Sequence, residues 1–194
     1  DRTNGTAVVG SGGVITYTPS ADFNGTDSFS YTITQGTKSG SASVNITINP
    51  VNDSPVINAA STIAVNENTT AVGTISTSDV DTGDSLELTL GGTDASSFEL
   101  SSANALTFIT APDFETKTSY SLTFSLTDGT LTTTKDITIS VTNLNDVAPT
   151  ISSATSFTIE ENELAIGTLT IVDPEGGSFT YTCLLYTSPS PRDY

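Results

Sequence analysis

The chain has no His, no Met, no Trp and a single Cys. Without His, no Ser-His-Asp or Cys-His catalytic arrangement can be assembled from these residues. The usual His- and Cys-based zinc, haem and iron–sulfur sites are excluded with it. Positive charge is almost as scarce: 5 Lys+Arg stand against 22 Asp+Glu in 194 residues, a formal net charge of −17. That balance argues against nucleic acid as a partner, because phosphate binding draws on Lys and Arg. It disfavours anionic membrane surfaces for the same reason. No apolar run approaches the ~18 residues of a membrane-spanning helix. With no Met at position 1, the sequence reads as an interior segment of something longer. What is abundant is Ser and Thr, 63 residues in all.

The stretch Cys183–Tyr194 breaks the style of everything before it, with the only Cys, a Pro-x-Pro and one of the two Arg residues. Its residues CLLYTSPSPRD, 183–193, resemble the in-frame translation of a transposase sequencing adapter. The expectation is that residues 183–194 are not native and that coding sequence stops near Thr182. Natural Cys content then falls to zero, which supports neither a disulfide framework nor a reactive thiol. Net charge does not change, because Arg192 and Asp193 leave together.

The remainder repeats itself. Residues 65–81, VNENTTAVGTISTSDVD, align without a gap on residues 159–175, IEENELAIGTLTIVDPE, at an offset of 94. Glu67, Asn68, Ala71, Gly73, Thr74 and Asp79 are identical to their partners. Pro50-Val-Asn-Asp53 recurs as Asn143-Leu-Asn-Asp146, and Ala21-Asp-Phe-Asn-Gly as Pro112-Asp-Phe-Glu-Thr. The organisation expected is the back part of one repeat over 1–52, a complete repeat over 53–147, and the front of a third over 148–182. Apolar and polar residues alternate in Phe29–Ile33, Val44–Ile48, Tyr120–Leu126 and Asp136–Thr142, which predicts half-buried antiparallel strands. Gly punctuates the runs at Gly91-Gly92 and Asp128-Gly129. Seven short strands fit the complete repeat, the size of a two-sheet Greek-key sandwich. The fold class expected is all-β: tandem Greek-key β-sandwich repeats, one complete and two truncated. About 90 residues can close a small core without disulfides, whereas the four strands expected in 1–50 would keep exposed edges.

The acids gather in loops at the predicted ends of repeats: Glu67, the run Asp79-x-Asp81-x-Gly83-Asp84, Asp113-x-Glu115, Asp128-Gly129, and Asn145-Asp146 in a linker. Converging like charges repel, and a hard cation offsets that repulsion. Calcium takes six to eight oxygens from carboxylates, Asn and backbone carbonyls.

In this order and at this period, Glu67-Asn68, Asp79-x-Asp81, Asp113-Phe114-Glu115, Asp128 and Asn145-Asp146-x-x-Pro149 resemble a cadherin repeat, nearest in style to the cadherin-like repeats of large bacterial surface adhesins. Residues 17–31, YTPSADFNGTDSFSY, are similar to the Ig-like repeats of the same proteins. The resemblance covers residues 13–182. It implies calcium as the cofactor. At the second boundary it implies a ligand set of Glu67, Asp113, Glu115, Asn145 and Asp146 with Asp173 and Glu175. At the first it implies Asn52, Asp53, Asp79, Asp81 and Asp128. Departures weaken the match: Asn143 stands where a linker acid is expected, Glu175 replaces the second Asp, and the first repeat reads Asp22-Phe23-Asn24 and Gln35-Gly36. Fewer or weaker ions are therefore expected at the first boundary.

Plainer readings compete. Asp-x-Asp-x-Gly alone is an ordinary polar turn. Asp113 and Glu115 could be a glycosidase acid/base pair, but nothing in the sequence suggests a cleft or a sugar-stacking Trp. Phe114, Tyr120 and Phe124 read as core. Asn4, Asn24, Asn45 and Asn68 each open an Asn-x-Thr sequon, ordinarily unmodified in a bacterial protein. The expected function is a non-enzymatic, calcium-stiffened cell-adhesion stalk of an extracellular or surface-attached bacterial adhesin. Its partners would be calcium, neighbouring repeats, and cell-surface proteins or glycans bound through other parts. The alternative is a non-catalytic β-sandwich spacer of a secreted enzyme. Direct carbohydrate binding would call for an aromatic platform that this sequence scarcely offers.

Overall fold

The structure is a computed structural model that describes residues 4–163, 165 and 167–183; the adapter-like stretch beyond Cys183 lies outside them. Among the described residues there is no α-helix, and fifteen short strands carry the architecture. Thr, Ser, Val and Ile dominate them, residues that suit a half-buried pleated surface.

Four strands come first: β1 (Gly5–Val9), β2 (Ile15–Pro19), β3 (Gly25–Gln35) and β4 (Lys38–Ile48). They form two antiparallel ribbons, β1–β2 and β3–β4. Tyr17 stacks on Phe29 with ring centroids 6.1 Å apart. Its hydroxyl donates to Asp27 Oδ2 at 2.5 Å, and that bond pushes the phenol pKa up to about 12.

The middle of the chain holds nine strand segments: β5 (Val56–Asn58), β6 (Thr62–Asn66), β7 (Ala71–Thr74), β8 (Ser76–Ser78), β9 (Glu87–Gly91), β10 (Phe98–Leu100), β11 (Ala105–Phe108), β12 (Ser119–Thr127) and β13 (Thr132–Thr142). One sheet runs β6-β13-β12-β9, with β6 parallel to β13 and the other pairs antiparallel. The opposing sheet runs β10-β11-β7, and β5 pairs with β8 beside it. Seven strands were expected, and the surplus has a local cause. The run holding β7 and β8 is divided at Ile75, whose N–H still donates to Asn104 O at 2.9 Å, beside the Thr74–Ala105 pair of β7 and β11, while its side chain is buried and the strand beyond it pairs with β5. The first run is likewise broken between Asn58 and Thr62, so β5 serves one sheet and β6 the other.

Alternation places the core between the sheets. Leu122, Phe124 and Leu126 of β12 and Ile137 and Ile139 of β13 point inward and share one core cluster with Leu106 and Phe108 of β11, and Val141 of β13 is buried on the same face. Phe98, Phe108 and Tyr120 form an aromatic cluster, with Phe98 and Phe108 centroids 4.2 Å apart and Tyr120 edge-on to both. Phe124 and Tyr120 thus take the core roles read for them, Tyr120 at its margin with Lys117 Nζ 4.5 Å above the ring. Gly92 turns the chain at φ +101° where a Cβ would lie 2.7 Å from Thr123 N, so only glycine fits this close approach.

Two strands follow, β14 (Thr150–Ile151) and β15 (Ile171–Val172), paired antiparallel.

Phe124→Ala should lower stability by about 3–5 kcal/mol, the usual cost of deleting a fully buried aromatic. Ile109→Ala, at a position 56% exposed, should stay within about 0.5 kcal/mol. Urea unfolding of the two variants is the check, and similar losses would contradict the placement of the core.

Candidate functional site: acidic clusters at the repeat boundaries

β6 ends at Asn66, and the next residue turns inward. Glu67 is only 1% exposed. Its N–H donates to Thr142 O at 3.1 Å, continuing the β6–β13 pairing. Its carboxylate accepts two backbone N–H groups from distant segments, Leu144 N at 2.6 Å and Phe114 N at 2.9 Å. A buried charge is tolerable when it is hydrogen-bonded in this way. Asn68 follows at φ +60°, a conformation Asn tolerates, with its N–H on Pro112 O. One residue pair therefore gathers the end of β13, the 112–116 loop and the linker.

Around that anchor, Glu67, Glu115, Asp146 and Glu175 each bring a carboxylate oxygen within 4.8 Å of the others. The linker is held from both sides. Asn68 Nδ2 donates to Asp146 Oδ2, and Glu175 accepts from Asp146 N at 2.8 Å and Val147 N at 2.9 Å. Asp173 stands behind Glu175, accepting Glu175 N and Gly176 N on Oδ1. Asp113 is turned aside, its carboxylate bonded to the hydroxyl and N–H of Thr116. Asn145 and Asp173 both line an open cavity, with Pro149 and Phe179.

The second cluster sits at the other linker. Asp79, Asp84 and Asp128 bring carboxylate oxygens within 4.8 Å of one another. Asn52 Nδ2 donates to Asp128 Oδ2 at 2.9 Å, and Asp53 N donates to Asp81 Oδ2 at 2.7 Å. Asp79 Oδ1 accepts Asp81 N at 2.9 Å, just as Asp173 accepts Glu175 N one repeat later. Asp81 and Glu175 thus perform the same task, gripping linker amides, and the longer Glu reaches two of them. Asp79 Oδ2 is buried with no hydrogen-bond partner.

The structure therefore brings together four of the seven residues expected at the second boundary, and Asp79 and Asp128 of the five expected at the first. Asp113, Asn145 and Asp173 flank the former cluster; Asn52, Asp53 and Asp81 flank the latter through the linker bonds above. Two participants were missed. Asp84 closes the acid run Asp79-x-Asp81-x-Gly83-Asp84 but was not in the expected ligand set. Asn68 was a motif letter without a task. Its partner Asn162 also has positive φ, 74°, and the repeated Glu-Asn pair was the signal.

Cations do not relieve this crowding. Among the described residues the ion pair present is Lys117–Asp94 at 2.5 Å, and Lys135 Nζ is spent on the carbonyls of Ile57 and Ala59. Titration behaviour follows. Desolvation, then Glu67, Glu175 and Asp113, raise the pKa of Glu115. Desolvation with Asp81, Asp79 and Asp128 raises Asp84, and desolvation with Asp22, Asp81 and Asp79 raises Asp53. Asp128 is lowered by the N–H of Leu131, the amide of Asn52 and the N–H of Thr130. Asp113 is lowered chiefly by the Thr116 hydroxyl.

This geometry defines a class: an antiparallel β-sandwich repeat with acidic linkers at both ends. The model of the bacterial Ig domain family matches residues 1–49 and 52–142, and the chain belongs to that family. Among curated proteins, chitinase A of Pseudoalteromonas piscicida is 33% identical over 75 residues, 38% of this chain and 9% of the chitinase. The chain thus spans under a tenth of that relative. Among solved structures, repeats EC1-2 of human protocadherin-24 match at a TM-score of 0.56 and 20% identity, covering 66% of this chain and 62% of that one. Protocadherin gamma B7 repeats 1–4 match at 0.55 and 20%, covering 89% and 48%. These likenesses bear on the fold, which is cadherin-like as well as Ig-like.

Without divalent cations, Asp128 and Asp113 should titrate below the ordinary carboxylate value of about 4, and Asp84 and Glu115 above theirs. The signs for stability are opposite. The contribution of Asp128 is present above its unfolded pKa and is lost as pH falls through its lower folded value. The penalty at Asp84 and Glu115 is present above their raised folded values and is relieved as pH falls toward the unfolded ones. Carboxyl carbon NMR against pH checks the order, and Asn52→Ala should move Asp128 upward. An inverted order would refute the cluster geometry.

Proposed function

We propose that the chain is a calcium-stiffened, extracellular stalk segment of a bacterial adhesin, divided at its linkers into 1–52, 53–147 and 148–182. The observation that carries this reading is the convergence of Glu67, Glu115, Asp146 and Glu175 from both sides of one linker. The donor set suits a hard cation: carboxylate oxygens, no nitrogen or sulfur, and no neighbouring Lys or Arg to neutralise them. The orphaned Asp79 Oδ2 is a second oxygen in want of a partner.

Glu67, Glu115, Asp146 and Glu175 would hold an ion at the second boundary, with Asp113, Asn145 and Asp173 close by. Asp79, Asp84 and Asp128 would hold one at the first, with Asn52, Asp53 and Asp81 close by. Calcium would supply the positive charge that offsets carboxylate repulsion. The chain's own part is orientation: Glu67 fixes the end of β13, while Asn68 and Glu175 grip the linker from opposite sides. Hinge freedom falls and the repeats extend as a rod. The first boundary, with Asp22-Phe23-Asn24 on its preceding side, is the weaker of the two. Repeats of this fold are typically non-catalytic. Their partners here would be calcium and the adjoining repeats, with surface proteins or glycans engaged elsewhere in the parent protein.

The match to part of chitinase A favours one other reading, a non-catalytic spacer within a secreted enzyme. The flanking sequence decides between them: further repeats for the stalk, a catalytic domain for the spacer.

Calcium should raise the melting temperature where magnesium and matched NaCl do not. One site bound only in the folded state adds ~2.7 kcal/mol at a hundred times its Kd. Glu115→Gln and Asp79→Asn should each remove part of the gain. A melting curve that calcium moves no further than NaCl does would end the calcium reading.

A further inference from the structure

Two repeats diverge in one loop. Residues 21–25, ADFNG, align with residues 112–116, PDFET. In the middle repeat this loop gives Glu115 to the acidic cluster, and Thr116 closes behind it with its hydroxyl and N–H on Asp113. In the first repeat both residues change: Asn24 stands at the position of Glu115, and Gly25 at that of Thr116. A tight turn presents the pair, with Phe23 N donating to Ser20 O at 3.3 Å and Asp22 at φ +58°. Asn24 lines a cavity of about 210 Å³ at the first boundary together with Asp22, Asp53 and Asp81. A neutral carboxamide thus occupies a wall otherwise rich in carboxylates.

Asn followed by Gly is a reactive pair, because the glycine N–H can attack the preceding carboxamide carbon and no Cβ obstructs the ring that closes. The local structure leaves that path open. Asn24 and Gly25 are both exposed, and a Cβ built on Gly25, at φ +118°, would meet nothing within 4 Å. Gly25 is also the first residue of β3, and its pairing with Ile48 is the last of the β3–β4 ladder. The end of a ladder opens at little cost in free energy, which frees the attacking N–H. Elsewhere the chain restrains such groups. The carboxamides of Asn52, Asn58 and Asn68 are held on Asp128, Ser78 and Asp146. The other Asn-Gly pair, Asn4-Gly5, lies against the Tyr17 side chain, with Asn4 O accepting Ser20 N at 2.7 Å.

We propose that Asn24 is a site of self-modification, at which deamidation supplies the first boundary with the carboxylate that Glu115 supplies at the second. Gly25 N bonds to Asn24 Cγ, and the side-chain nitrogen leaves as ammonia, carrying the amide proton. Water then opens the five-membered imide at either carbonyl. One opening restores the normal peptide bond and leaves an aspartate side chain at position 24; the other leaves an isoaspartyl linkage with a free α-carboxylate. The net change consumes one water, releases one ammonia and needs no oxidant or reductant. Either product makes the chain one unit more negative than −17 and places the new charge beside Asp22, Asp53 and Asp81. The boundary therefore gains an acid after the chain has folded, at a rate set by the opening of the Gly25–Ile48 pair. The benefit of that acid to a bound cation rests on the calcium reading above; the modification itself does not.

The test has two arms. In the first, the freshly prepared 194-residue protein is held folded in chelator at mildly alkaline pH, and its peptides are followed by mass. Position 24 should convert to a mixture of aspartyl and isoaspartyl forms, ahead of Asn58 and Asn104, with ammonia released in step. A synthetic peptide of residues 20–29 gives the unrestrained rate. A folded chain that keeps its Asn24 carboxamide while the peptide converts overturns the proposal. In the second arm, calcium chloride is titrated calorimetrically into Asn24→Asp, which fixes the aspartyl product, and into Asn24→Gln, which stays neutral. Equal far-UV circular dichroism and melting in chelator show that both fold alike. Asn24→Asp should bind about tenfold more tightly at one site, a gain of ~1.4 kcal/mol. Equal affinities in the two variants overturn the role at the boundary. Calcium bound by neither ends the calcium reading and leaves the conversion, measured by mass, standing.

Discussion

Carboxylates crowd both ends of the middle sandwich with no Lys or Arg paired to them among the described residues, and the loops at both ends are arranged around that repulsion. Two responses are built from the chain itself. Backbone N–H groups are turned onto the acids, as with Leu144 and Phe114 on Glu67 or Leu131 and Thr130 on Asp128. Neutral amides are placed between charges, as with Asn68 on Asp146 and Asn52 on Asp128. Both use partial positive charge where full positive charge is missing. Neither satisfies Asp79 Oδ2, nor stops Asp53, Asp84 and Glu115 from holding their protons more tightly than usual.

The sandwich makes this crowding possible. Its core is apolar and uses no disulfide or buried ion pair, so the ends of the strands are free to carry charge. β13 is the central member: it takes β6 in parallel and β12 antiparallel, and its two ends lie beside the two acidic clusters. Stability and site geometry are therefore partly separable. Phe124 and Leu106 hold the sheets together, whereas Glu67 is where the two concerns meet, a core-depth side chain whose partners are linker and loop amides.

The repeat gives the two boundaries a common grammar with different strengths. Asp79 and Asp173 shape the same turn, and Asp81 and Glu175 reach the same linker amides. The extra methylene of Glu175 allows a grip on two N–H groups where Asp81 holds one. A replacement that looked like a loss of match in the sequence becomes a firmer clamp in the structure.

Alternation of apolar and polar residues was enough to read the strands, their antiparallel pairing and the inward faces of β12 and β13, because a period of two can be satisfied only by a pleated sheet with one buried face. The offset of 94 was enough to read a tandem architecture. The acid motifs were enough to say which loops carry the clustered carboxylates. The sequence could not say that the first and second runs each break, so that β5 and β8 pair with one another while β6 joins β13 and β7 joins β11. Nor could it sort the acids. Asp113 and Asp84 stand in equally acidic loops, yet Thr116 draws Asp113 aside while Asp84 faces Asp79 and Asp128. Local composition decides where charge is carried. Only the meeting of segments far apart in the chain, here 67 with 114 and 144, decides which charges face one another, because distance between carboxylates belongs to the folded chain and not to its order.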